Sequence, residues 1–296
     1  MTQKVLSKLK GTGVAIVTPF TKSGAIDFPA FEKLLEHLIG GGVEYIVLMG
    51  TTGESVTLSK PEKKTLIEFA VTKIRKRVPL VLGIGGNNTS DVVLTIHGTL
   101  FKGIDAVLSV CPYYNKPQQE GLYRHFMTIA EACPVPVILY NVPGRTGCNM
   151  SAATTLRLAN DSKNIIGVKE ASGSLDQISQ IIHNKPKGFL VISGDDGITL
   201  PLLAMGADGV ISVVANAYPH EFSEMVRFGL KGDFAKARKI HYKLIGFISA
   251  IFADGSPAGI KASLEIMKIC HNELRLPLVT VNKELYSQLK KIISEN

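Results

Sequence analysis

GVAIVTPF (13–20), VEYIVLMG (43–50), VPLVLGIG (78–85) and AVLSVCPYY (106–114) are short, β-branched and almost wholly apolar. Four more such runs follow at VPVILYN (135–141), IIGVKEA (165–171), FLVISGDD (189–196) and GVISVVAN (209–216). Apolar runs without alternation fit parallel strands buried on both faces. Helical patterns lie between them. In FEKLLEHLIGG (31–41), Phe31, Leu34, Leu35 and Leu38 fall at i, i+3, i+4 and i+7, one face of a helix. Ser59, Pro61 and Glu62 stand in the order of a capped helix start. Eight strands alternating with helices at intervals of roughly 20 to 35 residues predict an α/β fold, a (β/α)8 barrel.

The rival is a doubly wound sheet with a dinucleotide site. It needs GxGxxG after the first strand, which ends instead in TPFTKSG. GIGGNN (83–88) stops one glycine short of that fingerprint, and no Walker A pattern occurs. Beyond residue 216 the pattern is helical only, over 220–231, 233–253, 257–271 and 282–293. The expected division is a barrel in 1–230 and a C-terminal helical region in 231–296.

Composition agrees with a large core. The 296 residues are 45% hydrophobic and 20% charged, which excludes a disordered chain. No uncharged run exceeds 13 residues, too short for a membrane span. Lys4, Lys8 and Lys10 precede GTGVAIVTPF, but its Gly, Thr and Pro make it a strand and not a signal-peptide core. Cys111, Cys133, Cys148 and Cys270 show no CxxC pair, so reduced core thiols and a cytoplasmic location are expected. The net charge of +8 is spread along the chain. Its one cluster, KIRKR (73–77), reads as a solvated helix end, and no nucleic-acid partner is expected.

Barrel chemistry sits where strands end. Polar residues at those ends are Gly50-Thr51-Thr52-Gly53-Glu54-Ser55, Tyr113-Tyr114-Asn115, Tyr140-Asn141, Lys169-Glu170, Gly194-Asp195-Asp196 and Asn216. Period-two alternation that turns Gly167 inward also turns Lys169 inward. Among apolar walls its neutral amine is easier to reach, as an imine-forming nucleophile requires. Two blander readings stay open: a pair with Glu170, or an ammonium reaching the rim.

Tyr140 ends the preceding strand, so it should neighbour Lys169 and can pass protons there. Its blander reading is a packed ring with its OH on backbone. Thr51 and Thr52, on a glycine-flanked turn, offer hydroxyls and N–H groups to a small carboxylate, or simply make a tight turn. Arg145, after Pro143-Gly144, is suited to a second carboxylate, although a surface arginine is the default. Asp195 and Asp196 are a weak magnesium pattern, and the seven histidines include no i, i+4 pair, so no metal is expected. His125, in GLYRHFMTIA, reads as helix packing.

Together, GTTGES (50–55), PYYNKPQQEGLYRHF (112–126), YNVPGRTG (140–147), IIGVKEASG (165–173), SGDDG (193–197) and GVISV (209–213) closely resemble the dihydrodipicolinate synthase family. That family belongs to the pyruvate-dependent class I aldolases, and the resemblance covers nearly the whole chain, weakest beyond about residue 255. It implies a lyase that condenses pyruvate with L-aspartate 4-semialdehyde for lysine and diaminopimelate synthesis, without metal or organic cofactor. By the same resemblance, Lys169 forms the Schiff base and Tyr140 relays protons through Thr51 to Tyr114. Thr52 binds the pyruvate carboxylate, Gly194 and Ile211 line that site through backbone groups, and Arg145 receives the semialdehyde carboxylate. Tyr114 is expected to cross a dimer interface within a homotetramer, a dimer of dimers.

The alternative on the same scaffold is a pyruvate-linked lyase cleaving a sialic acid or a 2-keto-3-deoxy sugar acid. Arg145 and the Thr-Thr pair distinguish the synthase from it. The family's lysine-feedback cleft corresponds to Ser55, Val56, Lys60, Lys63, Asn87, Asp91 and Tyr113. Feedback-sensitive members carry histidine near Lys60 or Lys63 and glutamate where Asp91 stands. Two lysines repel a cationic effector, so weak or absent inhibition by L-lysine is expected.

Overall fold

The computed structural model describes residues 6–295. Eight parallel strands close into a barrel in chain order. They are β1 (Gly11–Ala15), β2 (Tyr45–Leu48), β3 (Leu80–Gly83), β4 (Ala106–Val110), β5 (Val137–Asn141), β6 (Ile165–Glu170), β7 (Leu190–Ser193) and β8 (Gly209–Ser212). One main helix follows each strand: α1 (Phe28–Gly40), α2 (Lys60–Ile74), α3 (Thr89–His97), α4 (Gln119–Ala132), α5 (Ala152–Asp161), α6 (Leu175–Asn184), α7 (Thr199–Ala204) and α8 (Pro219–Leu230). The (β/α)8 expectation holds.

Both faces of the strands are buried, for the reason read from the runs. One set of side chains, including Ala15, Tyr45, Val47, Val81, Leu108, Ile138, Tyr140, Ile192 and Ile211, fills the barrel interior. The other set, including Val14, Ile46, Leu48, Leu82, Leu139 and Val168, packs under the helices. Phe31, Leu34, Leu35 and Leu38 of α1 are all fully buried there, each contributing about 1.5–3 kcal/mol by leaving water. Gly13 makes room for the interior: a Cβ on it would stand 2.2 Å from the Tyr45 ring.

The capping box is formed. Ser59 Oγ accepts from Glu62 N, and Glu62 Oε2 accepts from Ser59 N at 2.8 Å. Such a cap contributes about 1 kcal/mol.

Every strand is shorter than its apolar run, and one C-terminal helix is shorter than expected. β8 stops at Ser212, and Val214–Asn216 is a single 3-10 turn. The Asn216 side chain causes this by donating to Ala15 O at 2.9 Å and accepting from Val17 N at 3.2 Å. The helix expected over 257–271 ends at Ile266. There Lys268 turns left-handed (φ 59°), and Ile269 N and Lys268 N close back on Leu264 O and Glu265 O.

Three helices follow the ring: α9 (Phe234–Phe252), α10 (Ala258–Ile266) and α11 (Lys283–Glu295). α9 packs on α8, while α10 and α11 pack on α9 and on each other. α10 also touches the Val214–Asn216 turn at the mouth. Among the described residues, no helix is long and apolar enough to cross a membrane.

Candidate active site

β5 and β6 pair with Tyr140 opposite Lys169 and Asn141 opposite Glu170. The register slips once, between Val137 and Ile138, which brings Gly167 rather than Ile166 opposite Ile138. Lys169 is 5% exposed, and its Nζ lies 4.3 Å from the centroid of the Tyr140 ring. A cation over an aromatic face is favoured electrostatically.

The two blander readings of Lys169 are both corrected. The lysine is buried, so it does not reach the rim. Glu170 is engaged elsewhere: it accepts from Asn141 Nδ2 at 3.0 Å, Ser172 N at 3.0 Å and Gln177 Nε2 at 2.9 Å. Burial pushes the Glu170 carboxyl above its ordinary value, opposed by those hydrogen bonds. Among the described residues, Lys169 enters no ion pair.

Gly194, at the end of β7, guards the space around that amine. A Cβ on it would lie 3.1 Å from Lys169 Cε and 2.6 Å from Ala171 Cβ. Its N–H donates to Glu170 O at 2.8 Å. Ile211 of β8 is buried in the same interior cluster as Tyr140.

Thr51–Gly53 forms a 3-10 turn after β2, four strands round the ring from Lys169 and therefore across the mouth from it. Thr52 is buried and Thr51 exposed. Thr18 Oγ1 donates to Gly53 O at 2.7 Å and ties the turn to the end of β1. Arg145 lies exposed on a single helical turn, Pro143–Thr146, above β5. Tyr114 is 88% exposed and left-handed at φ 75°, with its N–H donating to Thr146 O at 3.3 Å. The chain's own Tyr114 ring therefore stands largely in solvent.

The expected effector-cleft residues divide. Asn87 Nδ2 donates to Tyr113 O at 3.1 Å, which joins those two. Lys60 and Lys63 share the first turn of α2, and Val56, 82% exposed, lies in the turn Ser55–Thr57 just before it. Burial, then the charge of Lys60, pushes Lys63 below its ordinary value. Asp91, on the first turn of α3, accepts from Asn88 Nδ2 at 2.9 Å.

Other polar residues are structural. Asp196 accepts from Val213 N at 2.9 Å and Val214 N at 3.1 Å, while Asp195 caps Gly197 N at 2.9 Å. His125 is buried in α4 with Nδ1 2.8 Å from Thr89 Oγ1, and burial pushes it down to about 4. All four cysteines are free thiols; Cys111, Cys133 and Cys270 are buried, and Cys148 is half-buried. Burial pushes the Cys270 thiol up to about 12, outside nucleophilic range. Among the described residues no group of three or more His, Cys, Asp or Glu could hold a metal.

The sequence reading missed one feature of this mouth. Glu54, the last residue of GTTGE, is fully buried and paired with Lys261 of α10. Only the glutamate at the glycine turn was visible in sequence; its partner lies 207 positions away.

Residues 8–296 match the Dihydrodipicolinate synthetase family model. The chain is 51% identical to the 4-hydroxy-tetrahydrodipicolinate synthase of Parabacteroides distasonis, over 97% of each chain. It is 53% identical to that of Flavobacterium psychrophilum, over 94% of this chain and 95% of the relative. Its fold is similar to the crystal structure of dihydrodipicolinate synthase from Aquifex aeolicus, with a TM-score of 0.94 and 40% identity over 97% of this chain and 98% of that one.

Proposed function

The chain belongs to the dihydrodipicolinate synthetase family, and from that premise we propose which of its residues perform the reaction. Its function is that of a 4-hydroxy-tetrahydrodipicolinate synthase, an aldolase-type condensation of pyruvate with L-aspartate 4-semialdehyde in lysine and diaminopimelate biosynthesis. By class the enzyme is a carbon–oxygen lyase.

The observation that carries the residue assignment is the buried Lys169 amine, 4.3 Å over the Tyr140 ring and, among the described residues, without a carboxylate partner. Lys169 Nζ attacks the keto carbon of pyruvate, and the carbinolamine loses water to give the imine. Tyr140 supplies and recovers the protons of those steps. The imine withdraws electrons from the methyl group, which loses a proton to form an enamine. The enamine carbon attacks the aldehyde. The amino group of the second substrate then attacks the imine carbon, closes the ring and releases Lys169.

Thr52, with its backbone N–H, holds the pyruvate carboxylate, and Gly194 and Ile211 line the same subsite. Arg145 receives the semialdehyde carboxylate, for which its fork of donors is suited. Thr51 passes protons between Tyr140 and Tyr114. Since the chain's own Tyr114 is 88% exposed, the relay is completed by Tyr114 from a second subunit, within a homotetramer. The free thiols agree with a cytoplasmic enzyme. The division taken is a catalytic barrel within 1–230, described from residue 6, and a C-terminal helical region within 231–296, described to residue 295.

Borohydride reduction in the presence of pyruvate, followed by peptide mass mapping, tests the imine. The expected adduct lies on the peptide containing Lys169 and disappears in Lys169→Arg; an adduct elsewhere would sink the assignment. Arg145→Ala should impair use of the semialdehyde while leaving pyruvate trapping intact. Efficient cleavage of a sialic acid or a 2-keto-3-deoxy sugar acid would favour the other aldolase reading.

A further inference from the structure

Glu54 sits between two turns, Thr51–Gly53 and Ser55–Thr57, in the left-handed region at φ 51° and ψ 36°. A non-glycine residue holds that conformation only where its surroundings impose it. Here they do so through a buried charge. The Glu54 and Lys261 side chains are both 0% exposed and form an ion pair. Lys261 Nζ also donates to Glu273 O at 2.7 Å and stands 4.2 Å over the Phe20 ring. The second Glu54 oxygen accepts from Arg275 N at 3.0 Å.

Arg275 extends the grip. Its guanidinium donates to Thr57 O at 2.9 Å and to Gly24 O at 2.7 Å, and it pairs with both oxygens of Glu62. One stretch of the C-terminal region, Lys261 to Arg275, therefore holds Glu54, Thr57 and Glu62, the segment that directly follows the turn carrying Thr51 and Thr52. Burial lowers the affinity of Lys261 for its proton, and Glu54 opposes that effect.

We propose that Glu54 and Lys261 are positioning residues for the pyruvate-carboxylate subsite. Their buried ion pair fixes the turn bearing Thr52, so the C-terminal helices set how tightly pyruvate is held. This inference rests on the reading that Thr52 binds the pyruvate carboxylate. Neither residue touches the reacting atoms.

The test compares Glu54→Gln, Lys261→Met and Thr52→Val in the full-length enzyme, well below each variant's melting temperature. Kinetic constants for both substrates are measured beside Tm. Glu54→Gln keeps size and an acceptor but removes the charge. It and Lys261→Met should raise the pyruvate KM about tenfold, as small displacements of a positioned group do, with the semialdehyde KM unchanged. A merely structural pair would lower Tm and leave the pyruvate KM at its wild-type value while Thr52→Val raises it; that result overturns the positioning role alone. If Thr52→Val leaves the pyruvate KM unchanged, the site reading and the positioning role fall together. Should Lys261→Met not fold, Glu54→Asp, which keeps both charges and shortens the reach, carries the test with the same readouts and the same direction.

Discussion

Asn141 Nδ2 donates to Glu170 Oε1 at 3.0 Å, one residue beyond the paired Tyr140 and Lys169. The clamp lies on the outer face of the β5–β6 ladder, and the Tyr140–Lys169 pair lies on the inner face. Asn141 Oδ1 also accepts from Met150 N at 3.0 Å, and Gln177 Nε2 holds the second Glu170 oxygen at 2.9 Å. The network thus fixes the two strand ends that aim Tyr140 and Lys169. Asn141→Ala should cost about 1–3 kcal/mol, because it strands buried partners, and should slow formation of the pyruvate adduct. Urea unfolding and the rate of borohydride trapping measure the two effects. A stability loss with an unchanged trapping rate would limit the clamp to holding the fold.

Gly194→Ala tests the space around the amine more directly. The added methyl would meet Lys169 Cε at 3.1 Å, Glu170 O at 3.1 Å and Ala171 Cβ at 2.6 Å. Ala171 Cβ has no rotamer with which to give way, so the backbone at the end of β7 must shift, and the lysine beside it is displaced as well. Displacing a nucleophile by about 1 Å costs on the order of 100-fold in rate. The variant should keep its far-ultraviolet circular dichroism and lose most of its trapping rate. Wild-type trapping in Gly194→Ala would show that the amine has room to spare.

What was legible in the sequence, and what was not, follows from range. Eight apolar runs identify the barrel because each strand must be buried on both faces, a local property of composition. Lys169 and Tyr140 were legible as neighbours because consecutive strands in a barrel are adjacent and alternation orients their side chains. The end of β8 was not, since it depends on Asn216 reaching Ala15, 201 positions away. The Glu54–Lys261 pair escaped for the same reason: no local pattern marks which of many lysines is buried. Sequence adjacency alone makes Glu170 look like a partner of Lys169. In a strand adjacency means opposite faces, and the alternation that turned Lys169 inward already turned Glu170 out.

Lysine feedback provides a prediction at the expected effector cleft. Lys60 and Lys63 stand together on the first turn of α2, with Lys63 half-buried. Asp91 already accepts from Asn88. A cationic amino acid would face two like charges and compete for an engaged carboxylate. Coupled synthase assays with saturating pyruvate and semialdehyde should therefore show little or no inhibition by millimolar L-lysine. Complete inhibition under those conditions would overturn the expectation. Lys60→His together with Lys63→His should increase whatever sensitivity exists.

His125 sets a pH dependence of stability whose direction is fixed by its burial. Its ring packs edge-on against Phe126, its Nδ1 meets Thr89, and burial pushes it from 6.5 down to about 4. In the unfolded chain the imidazole takes a proton near pH 6.5, whereas in the folded chain it resists until about pH 4. The unfolded state therefore binds more protons across that window, and stability rises with pH through it. The contribution is full above pH 6.5 and is lost as pH falls towards 4. Between pH 7 and pH 4.5 the loss amounts to about 2 kcal/mol. His125→Asn keeps a polar partner for Thr89 but cannot titrate. Comparing urea midpoints of the two proteins at both pH values isolates the effect from other titrating groups. The variant should lose about 2 kcal/mol less than wild type on acidification; equal losses would mean that the buried ring takes up its proton as readily as an exposed one.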